Sequence, residues 1–272
     1  MQYGLELPNG GACGDARTLA ELAAIAEEAG WDGVFLEDYI VYYAPGPTYD
    51  PWIALAAMAL RTEQIRLGAT VTPLARRRPW KLARELITLD HLSNGRMILG
   101  VGLGDPDDFA RFGEPVEARR RAELLDEGLA ILAGLWSGEP FGYQGKHFTL
   151  DEVTFLPRPV QHPRIPIWVG GSAQTARVVR RAARWDGIIP YKYPDTTGWE
   201  DFTPNDVRVL QAQIAQYRRA ETPFDIAILG PQEPGLISSM AEVGVTWWMT
   251  AVHAAPFDVM RRAIVCGPLR IV

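Results

Sequence analysis

The segment best suited to hold an anion is Gly170-Gly171-Ser172-Ala173. Two residues without side chains after an apolar run let the backbone approach a ligand, and the helix expected next offers N–H groups that lack partners. A tight turn in which Ser172 merely caps that helix fits the same string. Glu37 and Asp38 close another apolar run, and neighbours on a strand point to opposite faces, so only one of the two carboxylates can face inward. Asp38 is a candidate for hydrogen-bonding a ligand ring or moving a proton; a loop cap or salt bridge is the competing role. Arg76, Arg77 and Arg78 suit an anionic tail or, equally, a solvated face.

Other chemistries find less support. His91, His147, His162 and His253 lack ligand spacing, and Cys13 and Cys266 are too few for a metal site or a disulfide framework, so no metal is expected. Both cysteines read as free thiols of a reducing cytoplasm. Of Lys81, Lys146 and Lys192 only the last falls near a strand end, and it lies beyond Pro190 rather than shielded inside a strand, as Schiff-base chemistry requires. A net charge of −6 and a pI near 5.3 argue against nucleic acid and for a small-molecule substrate. Neither an export signal nor a run of roughly 18–20 apolar residues is present, so a cytoplasmic protein without membrane contact is expected.

These residues need a frame to position them. With 47% hydrophobic and 22% charged residues the chain can bury a sizeable core, and its 272 residues suit one domain over 1–272. Periodicity and breakers predict strands at 3–7, 34–36, 65–71, 97–101, 167–169, 187–189, 226–229 and 245–249. Helices are predicted between them: one opened by a Thr18/Glu21 capping box, one capped by Asp50 with Pro51 following, and others from Pro79, about Glu117, Ala173, Thr203-Pro204, Pro234 and Pro256. The stretch 138–166, rich in Pro, Gly and aromatics, predicts an inserted hairpin. Eight strands alternating with helices predict an α/β fold, a (β/α)8 TIM barrel with an insertion between helix 4 and strand 5. Such barrels carry their sites on loops leaving the carboxyl ends of the strands, which is where the candidates above fall.

The string LGATVTPLARRRPWKLARELITLDHLSNGRMILGVGLG, residues 67–104, strongly resembles the bacterial luciferase-like family of flavin- and deazaflavin-dependent oxidoreductases. FLPRPVQHPRIPIWVGGS (155–172) and AARWDGIIP (182–190) extend the resemblance, which runs to about Tyr191. It implies a barrel enzyme exchanging hydride between coenzyme F420 or FMN and a small organic substrate, with F420 slightly favoured because Leu103 stands where FMN users often carry an arginine. The alternatives are an FMN-dependent monooxygenase using oxygen and a cofactor-binding barrel without catalysis. It further implies a non-proline cis bond at Thr70–Val71 behind the cofactor ring, Asp38 near that ring, and Gly170, Gly171, Ser172 and Ala173 at the phosphate. Tyr39 replaces the acid–base histidine of several deazaflavin users, so that role does not transfer. A homodimer or larger homo-oligomer is implied, and Tyr42, Tyr43, Tyr191, Tyr193 and Trp248 are candidates to line the substrate cavity.

Overall fold

The computed structural model describes residues 1–43, 45–192, 200–219 and 221–271. Strands β1 (Gln2–Leu7), β2 (Gly33–Leu36), β3 (Arg66–Pro73), β4 (Met97–Gly102), β7 (Ile167–Ser172), β8 (Gly187–Tyr191), β9 (Asp225–Leu229) and β10 (Trp247–Ala251) close in the order β1-β10-β9-β8-β7-β4-β3-β2. Every neighbouring pair runs parallel, from β1 beside β10 round to β2 beside β3. The predicted α/β barrel therefore forms, with its helices outside: α1 (Ala16–Glu28), α2 (Pro51–Arg61), α3 (Pro79–Leu92), α4 (Pro106–Ala110), α5 (Ala118–Trp136), α6 (Ala176–Ala182), α7 (Pro204–Tyr217), α8 (Pro234–Glu242) and α9 (Phe257–Val265). The insertion is the antiparallel hairpin β5 (Pro140–Gln144) and β6 (Thr149–Thr154). Glu127 of α5 pins its turn, accepting from the N–H groups of Lys146, His147 and Phe148.

Local boundaries differ from expectation for identifiable reasons. Asp15, not Thr18, caps α1, because the Asp15 carboxylate reaches the N–H groups of Arg17 and Thr18 and leaves Thr18 inside the first turn. Strand β7 continues through Gly170 and Gly171, which pair with Ile189 and Pro190 of β8; a ladder between backbones does not need side chains. The following helix begins at Ala176 rather than Ala173. The short helix α4 was not expected.

Two buried clusters follow from the period of two along each strand. One lies between strands and helices; the other fills the barrel with Phe35, Ile98, Trp168, Ala227, Trp247 and Met249. Trp168 packs tilted against Phe35 at 5.4 Å and edge-on to Trp247 at 5.3 Å, ring centre to ring centre, and its indole N–H donates to Asp225. This aromatic plug closes the barrel at the amino ends of its strands and leaves the carboxyl ends open. Among the described residues no helix is long and apolar enough to cross a membrane.

Candidate active site

Above the plug lies a cavity of about 1250 Å³, lined from almost every barrel strand. The bond Thr70–Val71 is cis, and the pairing of β3 with β4 slips between Ala69 and Thr72. That bulge carries Val71 across the mouth to the bare backbones of β4 and β7. A side chain on Gly102 would sit 2.5 Å from Val71 Cγ2, and one on Gly170 would sit 2.6 Å from Val71 Cγ1. The two segments singled out in the sequence, the third strand and the glycine pair, thus form one continuous wall.

The glycines do different work. Gly170 faces the wall, whereas Gly171 adopts φ +154° and points its missing side chain at Val178 of α6, 2.9 Å away. Gly171 therefore answers to helix packing. The N–H groups expected to be unpaired are engaged: Ala173 donates to the Tyr191 carbonyl, Thr175 to the Ser172 carbonyl and Gln174 to the Ser172 hydroxyl. Gly170, Gly171 and Ser172 line the cavity together with Thr175, while Ala173 packs against the outer core.

On β2 the alternation puts Phe35 and then Glu37 inside, and turns Asp38 outward. Asp38 still lines the cavity and accepts from Arg77 with both oxygens, at 2.9 and 2.8 Å, and from the Trp52 indole at 3.3 Å. Arg76 bonds Asp108 and Glu114, both at 2.7 Å, and Asp108 also accepts from the N–H groups of Ile40 and Val41. Arg78 is exposed. The arginine run thus braces the loop after β2 through carboxylates of the same chain. Lys192 is likewise held, by Asp206 at 2.9 Å and Glu200 at 3.5 Å.

Two further carboxylates face the cavity: Glu37, the other member of the pair read from the sequence, and Glu6, which was not singled out there. Glu6 of β1 accepts from the Thr70 hydroxyl at 2.8 Å, and Glu37 stands beside it. Burial raises the Glu6 carboxyl to about 7, helped by the nearby Glu37 charge and opposed by the Thr70 hydrogen bond. Burial raises Glu37 to about 7 as well, opposed by its interaction with Tyr42. The signal was present: Tyr3, Leu5 and Leu7 are the apolar set of the first strand, so the alternating Glu6 belongs to the opposite, inner face. Tyr39, Tyr42 and Tyr43 gather on the adjoining loop, with Tyr42 and Tyr43 ring centres 4.2 Å apart and the Tyr42 hydroxyl donating to that of Tyr43 at 2.9 Å.

The family described as luciferase-like monooxygenase matches residues 3–231 of this sequence. The chain belongs to that family. The F420-dependent glucose-6-phosphate dehydrogenase of Microbacterium testaceum is 34% identical over 186 residues, covering 66% of this chain and 52% of the relative. The luciferase-like chain therefore spans about half the length of that relative. Among solved structures, the monooxygenase RslO1 from Streptomyces bottropensis superposes with a TM-score of 0.76 at 22% identity, over 97% of this chain and 96% of the other. An F420-dependent secondary alcohol dehydrogenase, in complex with an F420-acetone adduct, gives 0.76 at 16% identity over 97% and 98%. These likenesses establish the barrel architecture.

Within this luciferase-like barrel the remaining expectations sort clearly. Tyr42, Tyr43 and Tyr191 line the cavity, as does Leu103, whose carbonyl accepts from Arg121. Trp248 does not: it follows the inward Trp247, faces outward and packs in the layer between strands and helices. Tyr193 lies outside the described residues. His253 lines the exposed rim.

Proposed function

We propose that this luciferase-like protein binds coenzyme F420 or FMN with its ring across the barrel mouth and exchanges hydride between that cofactor and a small organic substrate. The observation that carries the reading is the Val71 wall: a cis bulge pressed against two glycine backbones, facing a cavity larger than the roughly 300–1,000 Å³ usual for small-molecule sites. A flat tricyclic ring fits against such a wall, and the space left over suits a substrate on its other face. When bound, the cofactor supplies the hydride chemistry. Thr70 and Val71 back the ring, Gly170 allows it to come close, and the Ser172 and Thr175 hydroxyls beside Gly171 and Ala173 meet the phosphate. Asp38 acts near the ring by fixing Arg77 and Trp52, and so the loop that frames the mouth. Leu103 in place of an arginine, together with the relative named as F420-dependent, favours F420 over FMN.

Titrating the protein separately with oxidised F420 and with FMN, followed by absorbance and fluorescence, tests this directly. Saturable binding is expected, tightest for F420. Gly170→Val, whose side chain would collide with Val71, is expected to weaken it by about tenfold or more, roughly 1.4 kcal/mol, with little change in fold. No spectral response to either cofactor would end the reading.

A further inference from the structure

Hydride exchange with an alcohol or a carbonyl leaves one proton to be placed, and the chain offers a route for it. We propose that Glu37 is the catalytic base that takes the proton of a hydroxyl substrate, and that Tyr42 and Tyr43 pass it to solvent. The proposal rests on the cofactor reading above and goes beyond it by naming the proton's path.

Position is the first argument. Strand alternation turns Glu6, Glu37, Thr70, Gly102, Ser172 and Tyr191 into the cavity, so both glutamates present carboxylates to it. Neither Glu6 nor Glu37 belongs to any ion pair among the described residues, and these include every lysine and arginine of the chain. Asp38, one residue on, is spent on Arg77 and turned away.

Continuity is the second. Glu37 and Tyr42 line the cavity together and interact closely enough to shift each other's titration, and the Tyr42 hydroxyl donates to the Tyr43 hydroxyl at 2.9 Å. Tyr42 is 4% exposed and Tyr43 59% exposed, so the chain of three groups begins inside the cavity and ends in water. Burial and the Tyr43 hydrogen bond push the Tyr42 phenol far above its usual range, so it does not ionise and passes a proton only by giving one up as it accepts another.

The step balances. As the substrate carbon gives hydride to the oxidised deazaflavin or flavin, its O–H bond breaks, that electron pair becomes the second bond of C=O, and the proton moves to the Glu37 carboxylate. Glu37 then donates to the Tyr42 oxygen, Tyr42 to Tyr43, and Tyr43 to water. A carboxyl near 7 is matched to this task at neutral pH. Burial and Tyr42 set the titration of Glu37, while Glu6 from β1, Tyr39 and Tyr43 from its own loop, Thr70 from β3 and Asp105 from the loop after β4 line the same cavity.

The test has two arms. In the cofactor-free protein, infrared titration of the protonated-carboxyl C=O stretch is expected to show bands lost near pH 7 from Glu6 and Glu37; the difference between wild type and Glu37→Gln isolates the Glu37 band, which shifts in Tyr42→Phe. A titration in Glu37→Gln identical to wild type would overturn the assignment. With oxidised F420 bound and 2-propanol, 2-butanol and cyclohexanol as probes, Glu37→Gln is expected to lower kcat by about 100-fold or more. Tyr43→Phe, a surface change, is expected to lower kcat several-fold at unchanged KM, raise the solvent deuterium effect and recover in imidazole buffer. Bound cofactor with none of the alcohols oxidised, or loss of rate in Asp105→Asn with Glu37→Gln unaffected, would sink this proposal alone. Failure to bind either cofactor would sink the cofactor reading and this route together.

Discussion

Asp38 and Glu37 are adjacent carboxylates with opposite employment. Asp38 satisfies Arg77 and Trp52, so Asp38→Ala leaves a guanidinium and an indole N–H facing a gap. A loss of about 2–3 kcal/mol of stability is expected, because removing one partner of a mostly buried pair strands the other. Arg77→Ala and the double variant complete a cycle read by denaturant unfolding, and a coupling of about 1–3 kcal/mol is expected. Simple additivity would show that the pair is incidental. The string Glu37-Asp38 reveals that one carboxylate faces inward, but which one depends on the phase of the strand, and a run of three apolar residues gives no phase. Only the position of Phe35 inside the barrel decides it. Ion pairs such as Arg76–Asp108 join residues 32 apart and were not legible at all, since nothing local in the sequence marks a partner that folding brings near.

At the level of strands and helices, Arg96 joins the end of α2 to the starts of β3 and β4. Its guanidinium donates to the carbonyls of Ala59, Thr62, Ile65 and Ser93 and to the Thr62 hydroxyl. A lysine carries three donors on one atom and cannot span that set. Arg96→Lys is therefore expected to cost about 2–4 kcal/mol in urea unfolding while cofactor affinity holds, since these carbonyls lie at the amino ends of the strands. A mutant as stable as wild type would refute the brace. Alternating strands and helices were legible because each helix carries an apolar stripe and each junction a glycine or proline. The carboxyl ends of the strands were not, because β7 runs on through two glycines that read as breakers and β3 passes through a cis bulge that periodicity cannot express.

For the molecule as a whole, two sets of acids pull stability in opposite directions with pH. Asp108, Asp126 and Glu27 are buried enough to be raised, yet are held below their ordinary values: Asp108 by Arg76 and two N–H groups, Asp126 by Arg181 and Arg184, and Glu27 by the N–H groups of Ile65, Gln64 and Glu63. Such groups stabilise the fold above their unfolded values, and that contribution is lost as pH falls through the folded ones. Glu6 and Glu37 act in reverse: each titrates near 4.5 unfolded and about 7 folded, so the native state binds the extra proton and is progressively destabilised as pH rises between those values. Thermal melts of the cofactor-free protein should therefore fall from pH 5 to pH 7.5, and the Glu6→Gln/Glu37→Gln double variant should flatten that fall; equal slopes in both proteins would contradict it.

The aromatic plug gives the barrel a polarity that extends to its ends. Tyr3, at the start of β1, accepts from the N–H of Ile271, so residues near the first and last positions meet beneath the plug, opposite the cavity. A label or solid support attached beside Tyr3 or Ile271 would thus hang from the sealed underside. The opening would still face free solution, which makes this underside suited to immobilisation.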